Sequence, residues 1–297
     1  MYPSICFVTG ASTDFGVSVV KMLKTLNLKV YGLVERDSDN ISIERLFNLG
    51  CKLIEGELDR PETYSDKIKI VDYIIHLAER RSGSIEELEQ YNVHGTRILV
   101  ESAPPQCRII YLSTIGVYGR AKGTLHEDMD PDPIDDYSRS KLGAERVILG
   151  NEEIDSFILR CPYIIHPYSS ELAKLLRNIF RKRIISKTHD KFYFVHSNDI
   201  AYYILSALSE ELHGHVIVNI PGVIITFEEL LKAYTLGCED TYRSIVLPWS
   251  SHVSFPVLLS DNQNIDTSFA EYDLIWIPQF SKSSILDDIT ELPRIYP

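Results

Sequence analysis

A phenol and an ammonium group stand four residues apart in the stretch YSRSK, at Tyr137 and Lys141. On a helix this spacing puts both side chains on one face, one turn apart. The apolar run RIIYLST, which ends in Ser113 and Thr114, comes shortly before them. If that run is a strand of a parallel sheet, its carboxyl end lies where such sheets bind ligands, and a hydroxyl, a phenol and an ammonium converge there. The alternative is a tyrosine and a lysine on a solvated helix face.

The elements that must position these groups alternate along the first half of the chain. Strand-length apolar runs and stretches of helical period follow one another in the order ICFVTG, VSVVKMLKTL, KVYGLVE, IERLFNLG, KLIEGEL, DYIIHLA, IEELEQYNVHGTRILVESA, RIIYLST, YSRSKLGAERVIL and SFILRCP. This rhythm is typical of βαβ units, and continuous apolar strands are typical of parallel sheets buried on both faces.

We therefore predict an α/β fold, a Rossmann-like doubly wound parallel sheet with a smaller C-terminal substrate lobe. Residues 1–162 and about 192–220 form the predicted dinucleotide-binding domain. Residues 163–191 and 221–297, where the rhythm loosens, form the predicted substrate-binding lobe.

The stretch GASTDFG, from Gly10 to Gly16, follows the first strand and opens a helix, as a dinucleotide-binding turn does. Its middle glycine is missing. Ser12, Thr13 and Asp14, all good helix caps, fill the turn instead, and a carboxylate at Asp14 competes for the helix dipole that would hold a phosphate. An ordinary capped turn between strand and helix is the alternative to a cofactor site.

Charge and composition restrict the possible partners. The 297 residues carry 30 Lys+Arg against 42 Asp+Glu, a formal charge of −12, which disfavours nucleic acid and anionic membranes. No run of about 18 apolar residues occurs, and the N-terminus does not resemble a signal peptide. We expect a cytoplasmic protein.

The cysteines and histidines do not have metal-site spacing. The five cysteines are scattered, without a C-x-x-C pair, which indicates buried thiols in a reducing compartment. His76, His166 and His196 lie in or beside predicted strands and read as packed or capping residues. We expect no metal.

Together these stretches resemble the extended branch of the short-chain dehydrogenase/reductase superfamily, the NAD-dependent epimerase/dehydratase family. The resemblance runs from Val8 to about Pro221. Five stretches after the glycine turn carry it, in the family's order: HLAER like H-L-A-A, NVHGT like N-V-x-G-T, LSTIGVYG like S-S-x-x-V-Y-G, YSRSK like Y-x-x-x-K, and FVHSNDIA like F-V-H-V-D-D-V-A.

The resemblance implies that Thr114, Tyr137 and Lys141 are the catalytic set. A phenol with a pKa of about 10 becomes a base at neutral pH only if its phenolate is stabilised, by the ammonium and by a cationic nicotinamide. Tyr137 would then exchange a proton with a substrate hydroxyl while hydride passes to or from the cofactor. Lys141 would also bind the nicotinamide ribose, and Thr114 would orient the substrate oxygen.

The resemblance implies NAD as the cofactor, with NADP possible. The family's glycine would fall on Thr13 in the extended branch and on Asp14 in the shorter one, so phosphate binding is expected to be weaker or altered. Glu35 could bond the ribose 2′-hydroxyl of NAD, whereas Arg36 could pair with the 2′-phosphate of NADP. The implied cofactor-binding residues are Gly10, Ser12, Thr13, Asp14, Phe15, Gly16, Glu35, Arg36, Glu57, Leu58, Leu77, Ala78, Asn92, Tyr137, Lys141 and Pro162.

The implied reaction is a Tyr-assisted hydride transfer, either epimerisation or oxidoreduction of a nucleotide-linked sugar. Ile115 and Gly116 stand where 4,6-dehydratases carry an Asp-Glu pair, which argues against dehydration. Arg177, Arg181 and Arg243 are candidates for binding a substrate diphosphate, with a solvated helix face as the alternative. The family's dimers lead us to expect a homodimer.

Two other functions stay open. One is an NADPH-dependent ketone or aldehyde reductase of the same superfamily. The other is a catalytically weak nucleotide-binding or sensor protein, which the missing glycine favours.

Overall fold

The structure is a computed structural model that describes residues 4–166, 172–174, 176–177, 184–186, 191–238, 245–247, 258–259 and 263–295. The chain forms two compact units. The first unit comprises residues 1–121, 127–160 and 200–219, and the second comprises 122–126, 161–199 and 220–297.

A seven-stranded parallel sheet forms the centre of the first unit. Its strands, numbered through the whole chain, are β1 (Ile5–Thr9), β2 (Lys29–Val34), β3 (Lys52–Glu55), β4 (Tyr73–His76), β5 (Arg108–Thr114), β7 (Asp155–Cys161) and β11 (His215–Asn219). They lie in the order β11-β7-β5-β4-β1-β2-β3. The order reverses between β1 and β4, as in a doubly wound sheet, and the predicted fold class is confirmed.

Helices connect these strands because stretches of helical period separate them. They are α1 (Asp14–Thr25), α2 (Asn40–Asn48), α3 (Ser65–Ile68), α4 (Ile85–Leu88), α5 (Gly95–Ser102), α6 (Asp136–Leu149) and α7 (Ser197–Ser209). Every residue of β5 is buried, as expected for a strand covered on both faces. Phe7, Ile74, Ile109, Leu99 and Ile148 share one core cluster that joins the sheet to its helices.

The first and fourth strands meet closely at their carboxyl ends, where the strand order reverses. Gly10 has a φ of 64°, and a Cβ there would lie 2.9 Å from the amide nitrogen of Ala78. The Thr9 hydroxyl accepts from the amides of Leu77 and Ala78 at 3.2 and 3.1 Å. The carboxyl edge at such a reversal of strand order is where open α/β sheets bind their ligands.

The predicted long helix over residues 85–103 is helical from Ile85 to Ser102, but it is not α-helical throughout. A π-helical stretch, Glu89–His94, separates α4 from α5. A π-helical turn adds a residue to the helix and is frequent at functional sites. This one contains the buried Asn92.

Two buried charged networks fix helices to the sheet. Arg108 donates to the carbonyl oxygens of Ala207, Glu210 and Leu212, at and beyond the end of α7. On β7, Arg160 pairs with Glu145 of α6 at 2.9 Å, with side chains 3% and 0% exposed. The Ser113 hydroxyl of β5 also donates to Glu145, so α6 is held to both strands.

The described part of the second unit contains short strands, two longer α-helices and a π-helical stretch, Phe269–Asp273. Its described elements are β6 (Gly123–Leu125), β8 (Tyr163–Ile165), β9 (Ile184–Ser186), β10 (Lys191–His196), β12 (Val223–Thr226), β13 (Ile245–Leu247), β14 (Leu258–Leu259), β15 (Gln263–Ile265), α8 (Phe227–Gly237) and α9 (Lys282–Ile295). Phe192, Phe194, Leu230 and Ile289 lie in its core cluster. A capping box between Thr226 and Glu229 begins α8.

Candidate active site

The helix α6 carries Tyr137 and Lys141 on successive turns. Asp135 caps it, because the carboxylate accepts from the amide of Ser138 at 2.8 Å. Lys141 is only 2% exposed, and its Nζ lies 4.4 Å from the ring centre of Tyr111 on β5. Helical spacing therefore does bring the phenol and the ammonium to one place.

They meet at a third side chain, the carboxylate of Glu79. Its Oε2 atom accepts from the Tyr137 hydroxyl at 2.8 Å and from Lys141 Nζ at 2.9 Å. Its other oxygen, Oε1, accepts from Nε of Arg81 at 2.5 Å. The Glu79 side chain is 11% exposed, so this is a buried ion pair.

The electrostatics of this cluster keep Tyr137 protonated. Burial, and next the Glu79 carboxylate, raise the pKa of Tyr137 well above its ordinary value. Burial opposes ionisation of Glu79, yet Lys141 and Arg81 lower the pKa of that carboxyl to about 2. Burial also disfavours the charged form of Lys141, but Glu79 outweighs it and raises the lysine pKa. As arranged, the phenol is a donor to a carboxylate.

Asn92, in the π-helical stretch, fixes the segment that carries Glu79. Its Oδ1 accepts from the amide of Arg80, and its Nδ2 donates to the Arg80 carbonyl oxygen. Nδ2 also donates to the hydroxyl of Ser140, which itself donates to the carbonyl oxygen of Tyr137. One side chain thus ties the segment after β4 to the first turn of α6.

His76, at the end of β4, is held between two threonine hydroxyls. Nδ1 is 2.8 Å from Oγ1 of Thr9, and Nε2 is 2.8 Å from Oγ1 of Thr96. Burial, and then the charge of Lys141, lower the pKa of His76 to about 3, so the ring is neutral. It acts as a packed linker.

Thr114 lies at the end of β5, near the start of α6. Its hydroxyl accepts from the amide of Gly116 at 3.1 Å. A Cβ on Gly116 would lie 3.3 Å from this hydroxyl and 2.4 Å from Oγ of Ser138, the neighbour of Tyr137. A residue larger than glycine would have to displace the Ser138 hydroxyl, which donates to the capping residue Asp135.

The turn from Gly10 to Gly16 is closed by Thr13. Its hydroxyl accepts from the amide of Gly16 at 2.9 Å and donates to the carbonyl oxygen of Gly10. A Cβ on Gly16 would lie 2.2 Å from that carbonyl oxygen, so the last glycine is required sterically. Asp14 is exposed and lies 3.8 Å from Arg45 of α2. The carboxylate therefore faces a side chain of α2.

The remaining residues at this sheet edge are partly engaged with one another. The hydroxyls of Ser12 and Ser38 are 2.8 Å apart. Tyr91 donates a short hydrogen bond to Glu35, whereas Arg36 is exposed. Phe15 is half-buried, Leu58, Leu77 and Ala78 are buried, and Glu57 pairs with Arg60 at 3.1 Å.

The other predicted site residues lie in the second unit. Pro162 is buried directly after β7, and Arg177 is half-buried. Arg181 and Arg243 lie outside the described residues. No helix in the described part of the chain is long and apolar enough to cross a membrane. Within the same ranges, no three His, Cys, Asp or Glu side chains are grouped so that they could hold a metal ion.

Sequence reasoning missed Glu79. The signal was present in HLAER, where a glutamate stands at the position of the second alanine of the resembled H-L-A-A. A charged residue directly after a buried strand indicates a polar partner at the sheet edge. The sequence could not show that this partner is the Tyr137–Lys141 pair.

Comparison with solved structures gives the same fold along nearly the whole chain. DesIV, a dTDP-glucose 4,6-dehydratase from Streptomyces venezuelae solved with NAD and TYD bound, has a TM-score of 0.81 at 20% identity, covering 98% of this chain and 97% of that one. The UDP-glucuronic acid 4-epimerase from Bacillus cereus, solved with NAD, has a TM-score of 0.78 at 19% identity, covering 98% and 97%. MoeE5, solved with UDP-glucuronic acid and NAD, has a TM-score of 0.78 at 22% identity, covering 98% and 99%.

Two curated relatives match only part of this chain and part of their own length. Sterol demethylase protein B from Methylococcus capsulatus is 25% identical over 221 residues, which cover 70% of this chain and 66% of that protein. The uncharacterized protein y4nG from Sinorhizobium fredii is 24% identical over 168 residues, which cover 53% of this chain and 42% of that protein. The chain thus spans less than two thirds of either relative.

Residues 6–220 match the sequence model of the NAD dependent epimerase/dehydratase family. Apart from Ile5, the first residue of β1, these residues contain the central sheet, together with the glycine turn and the Tyr137–Lys141 pair. The chain belongs to the NAD dependent epimerase/dehydratase family.

Proposed function

We propose that this protein is an NAD(P)-dependent epimerase or oxidoreductase that acts on a nucleotide-linked sugar by Tyr-assisted hydride transfer. The observation that carries the proposal is the convergence of Tyr137 and Lys141 on one oxygen atom. A phenol and an ammonium that can share one small acceptor can also share a ligand hydroxyl. The family and the nucleotide sugars bound by structurally similar proteins support the substrate class.

The residues expected to bind the phosphates and the adenosine have a chemistry that fits a dinucleotide. Gly10 and Gly16 leave the turn without side chains where the backbone is closest, and the capped start of α1 offers amides to an anion. Glu35 lies at the end of β2, where a carboxylate could bond a ribose hydroxyl and would repel a 2′-phosphate. We therefore favour NAD over NADP as the cofactor.

At the nicotinamide end, the residues expected to bind the cofactor are already engaged. Lys141 and Tyr137, which would hold the ribose and face the substrate, are both bonded to Glu79. When bound, the dinucleotide would supply the acceptor or donor of hydride. In the proposed reaction Tyr137 exchanges a proton with the substrate oxygen, Lys141 favours the phenolate and Thr114 orients that oxygen.

Substrate binding and assembly extend the proposal to the rest of the chain. The second unit would be the substrate lobe, with Arg177, Arg181 and Arg243 pairing with the diphosphate. The helical region 85–103 and α6 would form a homodimer interface, and the protein would act in the cytoplasm. Sedimentation of the purified chain tests the dimer, since a monomer at micromolar concentration contradicts it.

A second candidate is a nucleotide-binding protein with little catalysis. The carboxylate of Glu79 favours it, because a phenol that donates to a carboxylate is a poor base. A carbonyl reductase is the remaining alternative. It would consume NADPH steadily, whereas epimerisation causes no net change in nicotinamide absorbance.

Calorimetric titration with NAD, NADH, NADP and NADPH, followed by assays of Tyr137→Phe, tests the proposal. We expect binding of NAD by both proteins, and a loss of turnover in the variant of roughly 100-fold or more, the effect typical of a general acid or base. Unchanged turnover in Tyr137→Phe would refute the proposed role. Binding without turnover in the wild type would favour the second candidate.

A further inference from the structure

The carboxylate of Glu79 already holds the two groups that the proposed function needs. Oε2 lies 2.8 Å from the Tyr137 hydroxyl and 2.9 Å from Lys141 Nζ. While Tyr137 and one N–H of Lys141 donate to this anionic oxygen, those two hydrogen bonds are not available to a neutral ribose or substrate hydroxyl. Glu79 is therefore part of the site, although a carboxylate bonded to Tyr137 and Lys141 opposes formation of the phenolate that the proposed reaction needs.

The surrounding charges favour this arrangement. Arg81 donates to the second oxygen of Glu79. In the part of the chain that the structure describes, the neutral His76 ring and the Tyr111 ring also lie close to Lys141. In this cluster the carboxylate neutralises the ammonium. The ammonium then cannot fully stabilise a phenolate at Tyr137.

The Glu79 carboxylate can also turn away from Lys141 and remain paired with Arg81. The Arg81 side chain is 52% exposed, whereas Lys141 is 2% exposed. A carboxylate that turns away from Lys141 with Arg81 would keep one ion pair while it moves toward water. The segment behind it stays anchored, because Asn92 holds the backbone of Arg80.

We infer that Glu79 is an internal competitor of the dinucleotide: its carboxylate occupies the hydrogen bonds of Tyr137 and Lys141, and the cofactor binds there by displacing it. This inference rests on the proposed function, since it assigns the nicotinamide ribose to Lys141. Glu79 thereby sets the affinity for the cofactor. It also determines when Lys141 is free to stabilise the phenolate.

Calorimetric titration of NAD and NADH into Glu79→Ala and Glu79→Gln tests the competition. Losing a charge-assisted hydrogen bond that must be broken on binding is expected to tighten the dissociation constant by about tenfold or more. Glu79→Gln is nearly isosteric, so it keeps the test valid if Glu79→Ala does not fold. Thermal melts identify which variants are folded.

Glu89→Ala is the matched control, because it removes one negative charge from an exposed position of the neighbouring π-helical stretch. We expect its affinities to equal those of the wild type. If the wild type binds NAD and both Glu79 variants bind it with unchanged or weaker affinity, the competition is overturned and the proposed function still stands. No binding by any protein overturns the proposed function, and the inference with it.

Discussion

We expect the Glu79–Lys141 pair to contribute measurably to folding stability. In Glu79→Gln the buried ammonium loses its carboxylate and keeps only the Tyr111 ring and neutral partners. The pKa of Glu79 falls from an ordinary 4.5 to about 2. Because one pKa unit corresponds to about 1.4 kcal/mol, the fold stabilises the ionised carboxylate by roughly 3 kcal/mol. Removing one partner of a buried pair typically costs about 3–5 kcal/mol, which agrees.

Urea unfolding at pH 7 measures this cost directly. We expect the free energy of unfolding of Glu79→Gln to be about 3 kcal/mol below that of the wild type. In the double variant Glu79→Gln/Lys141→Met neither charge is left unpaired in the site, so a large part of the loss should be recovered. Glu291→Gln is the control, because its pair with Arg294 is exposed and should change stability by less than about 1 kcal/mol.

The pH dependence of this difference has a defined sign. The folded pKa of Glu79 lies below the unfolded one, so the stabilisation is complete above about pH 4.5 and is lost as the pH falls toward 2. The gap between wild type and Glu79→Gln should therefore be full at pH 7 and shrink in acid. A gap below about 1 kcal/mol at pH 7, or a double variant no more stable than Glu79→Gln, would refute this reasoning.

Two further substitutions test the framework around the site. Arg108→Ala removes the buried donor to three carbonyl oxygens and should lower the free energy of unfolding by more than about 2 kcal/mol; a loss below about 0.5 kcal/mol in urea would contradict this. Gly16→Ala places a Cβ 2.2 Å from the carbonyl oxygen of Gly10 and should lower the melting temperature and weaken NAD binding, as judged against Gly150→Ala, whose Cβ would meet no atom closer than 3.3 Å. Equal melting temperatures and affinities for the two glycine variants would contradict the steric role of Gly16.

Local pattern was sufficient for the sheet and for the helical face that carries Tyr137 and Lys141. The alternation of apolar runs predicted the order of the strands along the chain, because each run indicates one buried strand. The long helix predicted over 85–103 is helical from Ile85 to Ser102, but its π-helical middle was not predicted. Its π-helical stretch depends on where Asn92 must reach, and helical periodicity does not encode that.

Only part of the candidate site could be predicted from the sequence. The roles of the predicted cofactor and catalytic residues stay predictions, although the structure brings several of them to the carboxyl edge of the sheet. Glu79 was not predicted because it lies 58 and 62 residues from its partners along the chain. The residues near HLAER do not indicate which distant side chains it contacts.

The sequence by itself determined the βαβ order and the one-turn spacing of phenol and ammonium, since each follows from periodicity along the chain. The need for glycine at Gly16 is local too, whereas Gly10 lies against Leu77 and Ala78 of the neighbouring strand end. The tertiary structure alone decided what the phenol and the ammonium bind. That choice depends on how the end of β4 and the start of α6 approach each other, a distance set by packing across the whole sheet. It is there that a carboxylate, rather than open space, meets Tyr137 and Lys141.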